Sequence, residues 1–244
     1  MSEPQTTQSP TPTAHGPSRV LFIGNSYTFY NDLPGLFVEL ARSGGHQVQV
    51  GMSAEGGATL SDHASSMVTR RKLEGEQWDY VVLQEQSQIP AILEPREGEM
   101  LPAAGILVDR ITETGATPIL FMTWGNRDGL RRAGYPDYQS QQTGLEEGYL
   151  AVAEQLNLAL APVGIAWGVA LEADPELDLW AGDGAHPSLA GSYLVACVFY
   201  ALLFNESPEG LAYSADLPLE TARALQTIAG EVVLADLGRW HPSP

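Results

Sequence analysis

The sequence is poor in cysteine and in basic residues. Its 244 residues include one cysteine, Cys197, and twelve lysines and arginines against thirty aspartates and glutamates. A single sulfur excludes an intrachain disulfide and any zinc site built from several thiolates of this chain. The net charge of −18 opposes general binding to phosphate backbones and anionic membranes. We therefore expect no nucleic-acid partner, and no residue spacing predicts a metal.

Long hydrophobic runs are also missing. No apolar stretch reaches the roughly 18 residues that a membrane-spanning helix needs. Residues 1–18 are rich in Ser, Thr, Pro and Gln, and they lack both the basic and the apolar part of a signal peptide. These features predict a flexible N-terminal tail over 1–18, a single domain over 19–244, and a cytoplasmic protein without membrane insertion. The sequence carries no signal for an oligomeric state.

What the sequence does contain is an alternation of short apolar runs and longer helical patterns. This order is typical of a parallel sheet with helices on both faces. The apolar runs predict strands over 20–23, 46–50, 78–83, 118–122 and near 163–166. The spacing of apolar residues predicts helices over 33–43, 60–73, 99–114, 144–158, 189–204 and 219–237.

A polar segment, residues 126–142, follows the fourth predicted strand and carries three of the arginines. Ligands of open α/β sheets bind in the crevice beyond the carboxyl ends of the strands. This segment therefore either forms a wall of a binding crevice or is an ordinary surface loop, and the sequence favours neither.

Two short segments carry residues suited to nucleophilic catalysis. Ser26 directly follows the first predicted strand, and Asp183 stands three residues before His186. One tight turn at this spacing can place a carboxylate beside imidazole Nδ1 while Nε2 faces a serine. Taken separately, each segment is a weak signal, since a serine after a strand is usually a turn or cap residue and an isolated D-x-x-H is usually a solvated loop.

Together, these segments resemble the SGNH/GDSL hydrolase superfamily. The shared blocks are a strand followed by G-N-S, a Gly-Gly turn after the second strand, and D-G-A-H-P-S-x-x-G-x-Y near the end, in the family's order. The resemblance implies a flavodoxin-like three-layer α/β/α hydrolase with a central parallel sheet of about five strands and no cofactor. It implies Ser26 as nucleophile, His186 as general base and Asp183 as the group that orients His186.

The resemblance also implies donors for an oxyanion, and here the sequence departs from the family. The Ser26 N–H and Gly57 correspond to the first two donors, although Gly57 also fits a simple turn before a helix. Where the family has an asparagine after the third strand, this chain reads Leu83-Gln84-Glu85-Gln86-Ser87-Gln88, which resembles a less-characterised branch of the superfamily. A glutamine carries the same amide on a longer arm, so Gln84, Gln86 or Gln88 can substitute, and position favours Gln86.

The leading prediction is a serine esterase that hydrolyses a small-molecule ester with a small acyl group through an acyl-enzyme on Ser26. O-acetyl groups on a carbohydrate are the favoured substrate. The absent asparagine motivates a second hypothesis, a non-catalytic ligand-binding module of the same fold, and a lipase or thioesterase is a third. His63, in a predicted helix, is expected to be a surface or packing residue, and Cys197 a small core residue.

Overall fold

Five parallel strands form one sheet in the order β2-β1-β3-β4-β5. The computed structural model describes Gly16 and residues 18–241. The predicted N-terminal tail, residues 1–18, lies outside the described residues except for Gly16 and Ser18, and Ser18 already belongs to β1. The strands are β1 Ser18–Gly24, β2 Val48–Ala54, β3 Tyr80–Leu83, β4 Thr117–Phe121 and β5 Ala159–Ala161. The prediction of a central parallel sheet of about five strands is confirmed.

Helices cover both faces of this sheet. The α-helices are α1 Ser26–Phe29, α2 Leu33–Ser43, α3 Leu60–Ser65, α4 Met67–Gly75, α5 Leu93–Pro95, α6 Leu101–Glu113, α7 Tyr138–Leu156, α8 Val163–Ala173, α9 Leu189–Phe204, α10 Leu219–Leu234 and α11 Leu237–Trp240. One layer contains α2 packed on α9, with α10 against α9, and the other contains α3 packed on α6. The fold is thus the predicted three-layer α/β/α arrangement. Within the described residues, none of these helices combines the length and apolar content needed to cross a bilayer.

The centre of the core is β1. Residues 20–23 of this strand have no exposed surface, because neighbouring strands flank it and helices cover both its faces. The Phe22 ring meets Phe37 of α2 and Phe199 of α9 edge to face, at centroid separations of 6.2 and 5.5 Å. This packing fixes the carboxyl end of β1, which Ser26 follows by two residues.

Several predicted elements differ from the structure: β2 runs past 46–50 to Ala54, α7 begins at Tyr138 ahead of the predicted 144–158, and the helix predicted over 219–237 is α10 and α11. Two further differences have a clear local cause. The predicted fifth strand at 163–166 is the first turn of α8, and the strand is Ala159–Ala161. One apolar run covers both β5 and the start of α8, so the pattern of apolar residues could not show where the strand ends and the helix begins. In the structure, Pro162 separates the two elements and is the residue before α8. The predicted helix over 60–73 is two helices, because Ser66 is extended and its side chain accepts a hydrogen bond from Thr69 N at the start of α4.

Glu85 is a fully buried carboxyl group just beyond β3. Its Oε1 accepts hydrogen bonds from Leu60 N at 3.1 Å and from Gln86 N at 2.6 Å, which ties the start of α3 to the chain after β3. Its Oε2 has no hydrogen-bond partner among the described residues. Burial raises the pKa of Glu85 from 4.5 to about 7, since an ionised carboxylate loses its hydration there.

This raised pKa makes Glu85 a source of pH-dependent stability. The folded protein favours the protonated carboxyl, so its contribution to the free energy of unfolding is present below the ordinary pKa of 4.5 and is lost as the pH rises through about 7. Glu85→Gln keeps an oxygen acceptor for both N–H groups and cannot ionise. We expect wild type to lose up to about 3 kcal/mol of stability relative to Glu85→Gln between pH 4.5 and pH 8.

Urea unfolding of both proteins at the two pH values measures this difference. Glu94→Gln, which removes an exposed carboxylate, is the matched control and should track wild type at both pH values. A stability difference between wild type and Glu85→Gln that is the same at pH 4.5 and pH 8 would contradict a buried titrating carboxyl group.

Candidate active site

Ser26 and His186 come from opposite ends of the chain and meet beyond the carboxyl end of β1. Nε2 of His186 lies 2.8 Å from Ser26 Oγ, and Nδ1 lies 2.5 Å from Oδ2 of Asp183. An ionised carboxylate can only accept, so Nδ1 carries the proton and Nε2 accepts the hydrogen bond of the serine hydroxyl. The structure therefore brings the three predicted catalytic residues into one chain of hydrogen bonds with the tautomer suited to deprotonating a serine.

Asp183 is held in its charged form by its own turn. Its Oδ1 accepts hydrogen bonds from Ala185 N at 2.9 Å and His186 N at 3.0 Å. The hydrogen bond from the His186 side chain, together with these backbone N–H groups, lowers the pKa of Asp183 to about 2. The three-residue spacing thus performs the role expected of it, since one short turn both orients the carboxylate and keeps it anionic.

Aromatic rings hold the His186 imidazole on two sides. Tyr30 stacks on it at a centroid separation of 4.5 Å, and the Tyr27 ring meets it edge to face at 5.6 Å. Tyr27 in turn stacks on Trp124, which stacks on Trp167. Because Trp124 and Trp167 are fully buried, the position of the imidazole is set by the packed interior. The face of Tyr30 would also attract an imidazolium ion.

Gln84 supports the turn that presents Ser26. This fully buried side chain accepts hydrogen bonds from Asn25 N and from Thr28 Oγ1, both at 2.9 Å. A Cβ on Gly24 would lie 2.5 Å from Gln84 Oε1, so the close approach requires glycine at this position. The Gln84 amide nitrogen donates to the neighbouring Glu85 carbonyl. Because this nitrogen already has an acceptor, Gln84 supports the turn and is not the candidate oxyanion donor.

His63 supports the same turn from the other side. It is buried, with its Nε2 2.7 Å from the Gly24 carbonyl and its Nδ1 2.9 Å from Thr69 Oγ1. A carbonyl only accepts, so Nε2 carries the proton and Thr69 donates to Nδ1. Burial lowers the pKa of His63, which favours this neutral form. We expected His63 to be a surface or packing residue. That expectation did not include its hydrogen bond to Gly24, two residues before Ser26.

Asn31 links the two halves of the site. Its backbone is left-handed, with φ of 52°, and its side-chain nitrogen donates to the Pro187 carbonyl at 3.0 Å and to Ser192 Oγ at 2.9 Å. The chain after Ser26 is therefore fastened directly to the chain after His186. No pattern in the sequence indicates this contact, apart from the presence of an asparagine, a residue type that tolerates positive φ.

A depression of about 170 Å³ opens over Ser26 and His186. Gly57, with φ of +74°, and Gln86 both line it, so each predicted oxyanion residue borders the same space as Ser26. Gln86 Oε1 accepts from Gln88 N at 2.9 Å, while its amide nitrogen has no acceptor among the described residues. Gln88 and Asn126 also line the depression, and Asn126 was not predicted as a site residue.

The polar segment after β4 forms a wall of this site. Trp124 Nε1 donates to the Ala185 carbonyl at 3.0 Å, and Arg127 N donates to the Gly184 carbonyl at 2.8 Å. In the opposite direction, Trp180 Nε1 donates a hydrogen bond to the Gly125 carbonyl at 3.0 Å. Within residues 126–142, Asn126 lines the depression and Arg127 contacts the segment of His186, so the interpretation as a wall of the crevice is supported for the start of this segment only.

Neither a known family model nor a curated protein matches the chain. Among solved structures, a candidate SGNH hydrolase from Slackia heliotrinireducens is 30% identical, with a TM-score of 0.65, over 76% of this chain and 98% of the other. A DUF4886 family protein from Bacteroides uniformis is 20% identical, with a TM-score of 0.77, over 90% of this chain and 95% of the other.

An acetylxylan esterase from Geobacillus stearothermophilus is 19% identical, with a TM-score of 0.55, over 75% of this chain and 92% of the other. The Geobacillus and Bacteroides proteins are 19% and 20% identical to this chain, and at such low identity the likeness shows only a shared fold. The Slackia protein is matched at higher identity over nearly its whole length. The chain therefore belongs to the SGNH hydrolase family.

Proposed function

We propose that this protein is a serine esterase that hydrolyses a small acyl ester through an acyl-enzyme on Ser26. The observation that carries the proposal is the chain of hydrogen bonds from Ser26 Oγ through the His186 ring to Asp183. This chain opens on a surface depression, where an ester can reach the serine. A serine after a strand has no need of such partners if it only caps a helix.

The reaction then proceeds in two halves. Ser26 Oγ attacks the ester carbonyl carbon while His186 Nε2 takes the hydroxyl proton, and Nε2 passes this proton to the departing alcohol oxygen. Water attacks the acyl-enzyme with His186 again as base, and the proton returns to Ser26 Oγ as the acid leaves. Asp183 stays anionic throughout and stabilises the imidazolium, as its pKa of about 2 requires.

We assign three hydrogen-bond donors to the oxyanion of each tetrahedral intermediate: the Ser26 N–H, the Gly57 N–H and the side-chain amide of Gln86. Neither backbone N–H donates a hydrogen bond to any residue that the structure describes, and Gln86 has its oxygen occupied and its nitrogen available. Such free donors around one small space are what oxyanion stabilisation needs.

The size of the depression favours a short acyl group. Its volume is about 170 Å³. An acetyl group fits wholly within this space, whereas a longer acyl chain must extend beyond it. We therefore propose an O-acetyl group on a carbohydrate as the substrate, a choice in keeping with the acetylxylan esterase among the proteins that share the fold.

Removing the nucleophile or the base tests the proposal. We expect Ser26→Ala and His186→Ala to lower kcat/KM for p-nitrophenyl acetate by at least about a thousandfold, because the two residues act as a unit. Ser61→Ala, which changes an exposed serine of α3, is the control and should keep the wild-type rate. Circular dichroism checks that each variant is folded. Equal rates in all four proteins would contradict a serine esterase at this site.

The assignment of Gln86 is tested separately. We expect Gln86→Ala to lower kcat about tenfold or more with little change in KM, since the amide acts mainly on the transition state. Gln139→Ala, at an exposed position of α7, serves as the control. Asn126→Ala tests whether the Asn126 side-chain amide, which lines the same depression, is the third oxyanion donor in place of Gln86. An unchanged kcat in Gln86→Ala together with a loss in Asn126→Ala would move the third donor to Asn126.

A further inference from the structure

A second depression adjoins the proposed catalytic depression. It has a volume of about 540 Å³ and is lined by Gln88 and by residues 128–133 of the segment between β4 and α7. Gln88 lines both depressions, and Asn126 in the first stands two residues before Asp128 in the second. A substrate bound at Ser26 that is too large for the first depression can therefore extend into the second.

The residues that line the second depression carry more basic than acidic side chains, in contrast to the whole chain. The whole chain has a net charge of −18, yet Arg131 and Arg132 both line this space, with Asp128 as the one carboxylate among the described lining residues. Five other arginines form ion pairs with carboxylates. Arg131 and Arg132 are exposed and form no ion pair with any residue that the structure describes.

The backbone that presents the two arginines is well defined. Leu130 and Tyr135 form an antiparallel bridge around them, and the turn uses Gly129 and Gly134 at positive φ. The Tyr135 hydroxyl donates to the Ala91 carbonyl, which fastens the turn to the chain after β3. The nearby Asp137 carboxylate is engaged in capping α7, where it accepts from Ser140 N at 2.9 Å. The hydrogen bond from Ser140 N and, to a smaller extent, the Arg131 charge lower the pKa of Asp137, but neither guanidinium group forms a hydrogen bond or an ion pair with a described residue, so both can reach a ligand.

We propose that this second depression is a subsite for a carboxylate carried by the substrate, so that the enzyme prefers anionic esters to neutral ones. The proposal rests on the esterase function proposed above. A guanidinium group matches a carboxylate with two parallel hydrogen bonds, and two of them offset the repulsion that the acidic chain exerts on an anion. Beside that carboxylate, Asp128 can accept hydrogen bonds from hydroxyl groups, and Gln88 can accept or donate them.

Two pairs of esters, each with one anionic and one neutral member of closely similar shape, test the subsite. For a carboxylate on the alcohol side, 4-acetoxybenzoate is compared with its methyl ester. For a carboxylate on the acyl side, monophenyl adipate is compared with phenyl hexanoate. We expect Arg131→Gln/Arg132→Gln to raise KM about fivefold or more for at least one anionic ester and to leave the neutral partner within about twofold. The pair that responds shows which side of the ester bears the carboxylate.

A second double variant separates a local effect from a change in total charge. Arg71→Gln/Arg223→Gln removes two exposed arginines that lie outside this loop and should leave the kinetics of every ester unchanged. Equal responses to anionic and neutral esters in Arg131→Gln/Arg132→Gln, with the neutral esters still hydrolysed, would overturn the subsite and leave the esterase intact. No hydrolysis of any ester by wild type would overturn the esterase function itself.

Discussion

The hydrogen bond between Ser26 Oγ and His186 Nε2 joins residues that are 160 positions apart, and much of the structure serves to hold this distance. The strand β1 is buried on both faces, so the point where the chain leaves it is fixed. Hydrogen bonds from Asn25 N to Gln84 and from His63 to the Gly24 carbonyl then hold the turn. Asn31 fastens that turn to the segment of His186, and Trp124 fastens the same segment to the loop after β4. A geometry this strongly supported is pre-organised, and catalysis by a hydroxyl group depends on such positioning.

The chain after β3 departs from the family pattern and has three consecutive residues with three separate tasks. Gln84 accepts from the turn before Ser26, Glu85 accepts from the start of α3, and Gln86 borders the depression. The first two are fully buried, so the loss of the usual asparagine does not leave this segment loose. The hydrogen bonds accepted by Gln84 Oε1 and Glu85 Oε1 restrain this segment, which suits a loop that must place one amide accurately, while Glu85 Oε2 has no partner among the described residues.

The layers of the fold and the Asp183–His186 pair could be predicted from sequence because their causes are local, whereas the link to Ser26, 160 positions from His186, rested on the family resemblance. An unbroken apolar run predicts a buried parallel strand, and the helices over 33–43 and 189–204 have the predicted ends. A D-x-x-H turn encodes its own hydrogen bond. Contacts that depend on the tertiary fold could not be predicted: Asn126 reaches the depression from a loop 100 positions beyond Ser26, and His63 meets Gly24 only because α3 packs beside β1. The predicted position of the fifth strand was wrong for a different reason, because one apolar run spans both β5 and the start of α8.

The central claim is that Ser26 is an activated nucleophile, and covalent labelling tests it most directly. A fluorophosphonate reacts with an activated serine hydroxyl and remains attached, so peptide mapping by mass spectrometry identifies the labelled residue. The account predicts one adduct, on Ser26, and none in Ser26→Ala or His186→Ala. A folded wild-type protein that takes up no label, or that carries it on another residue, would contradict the account.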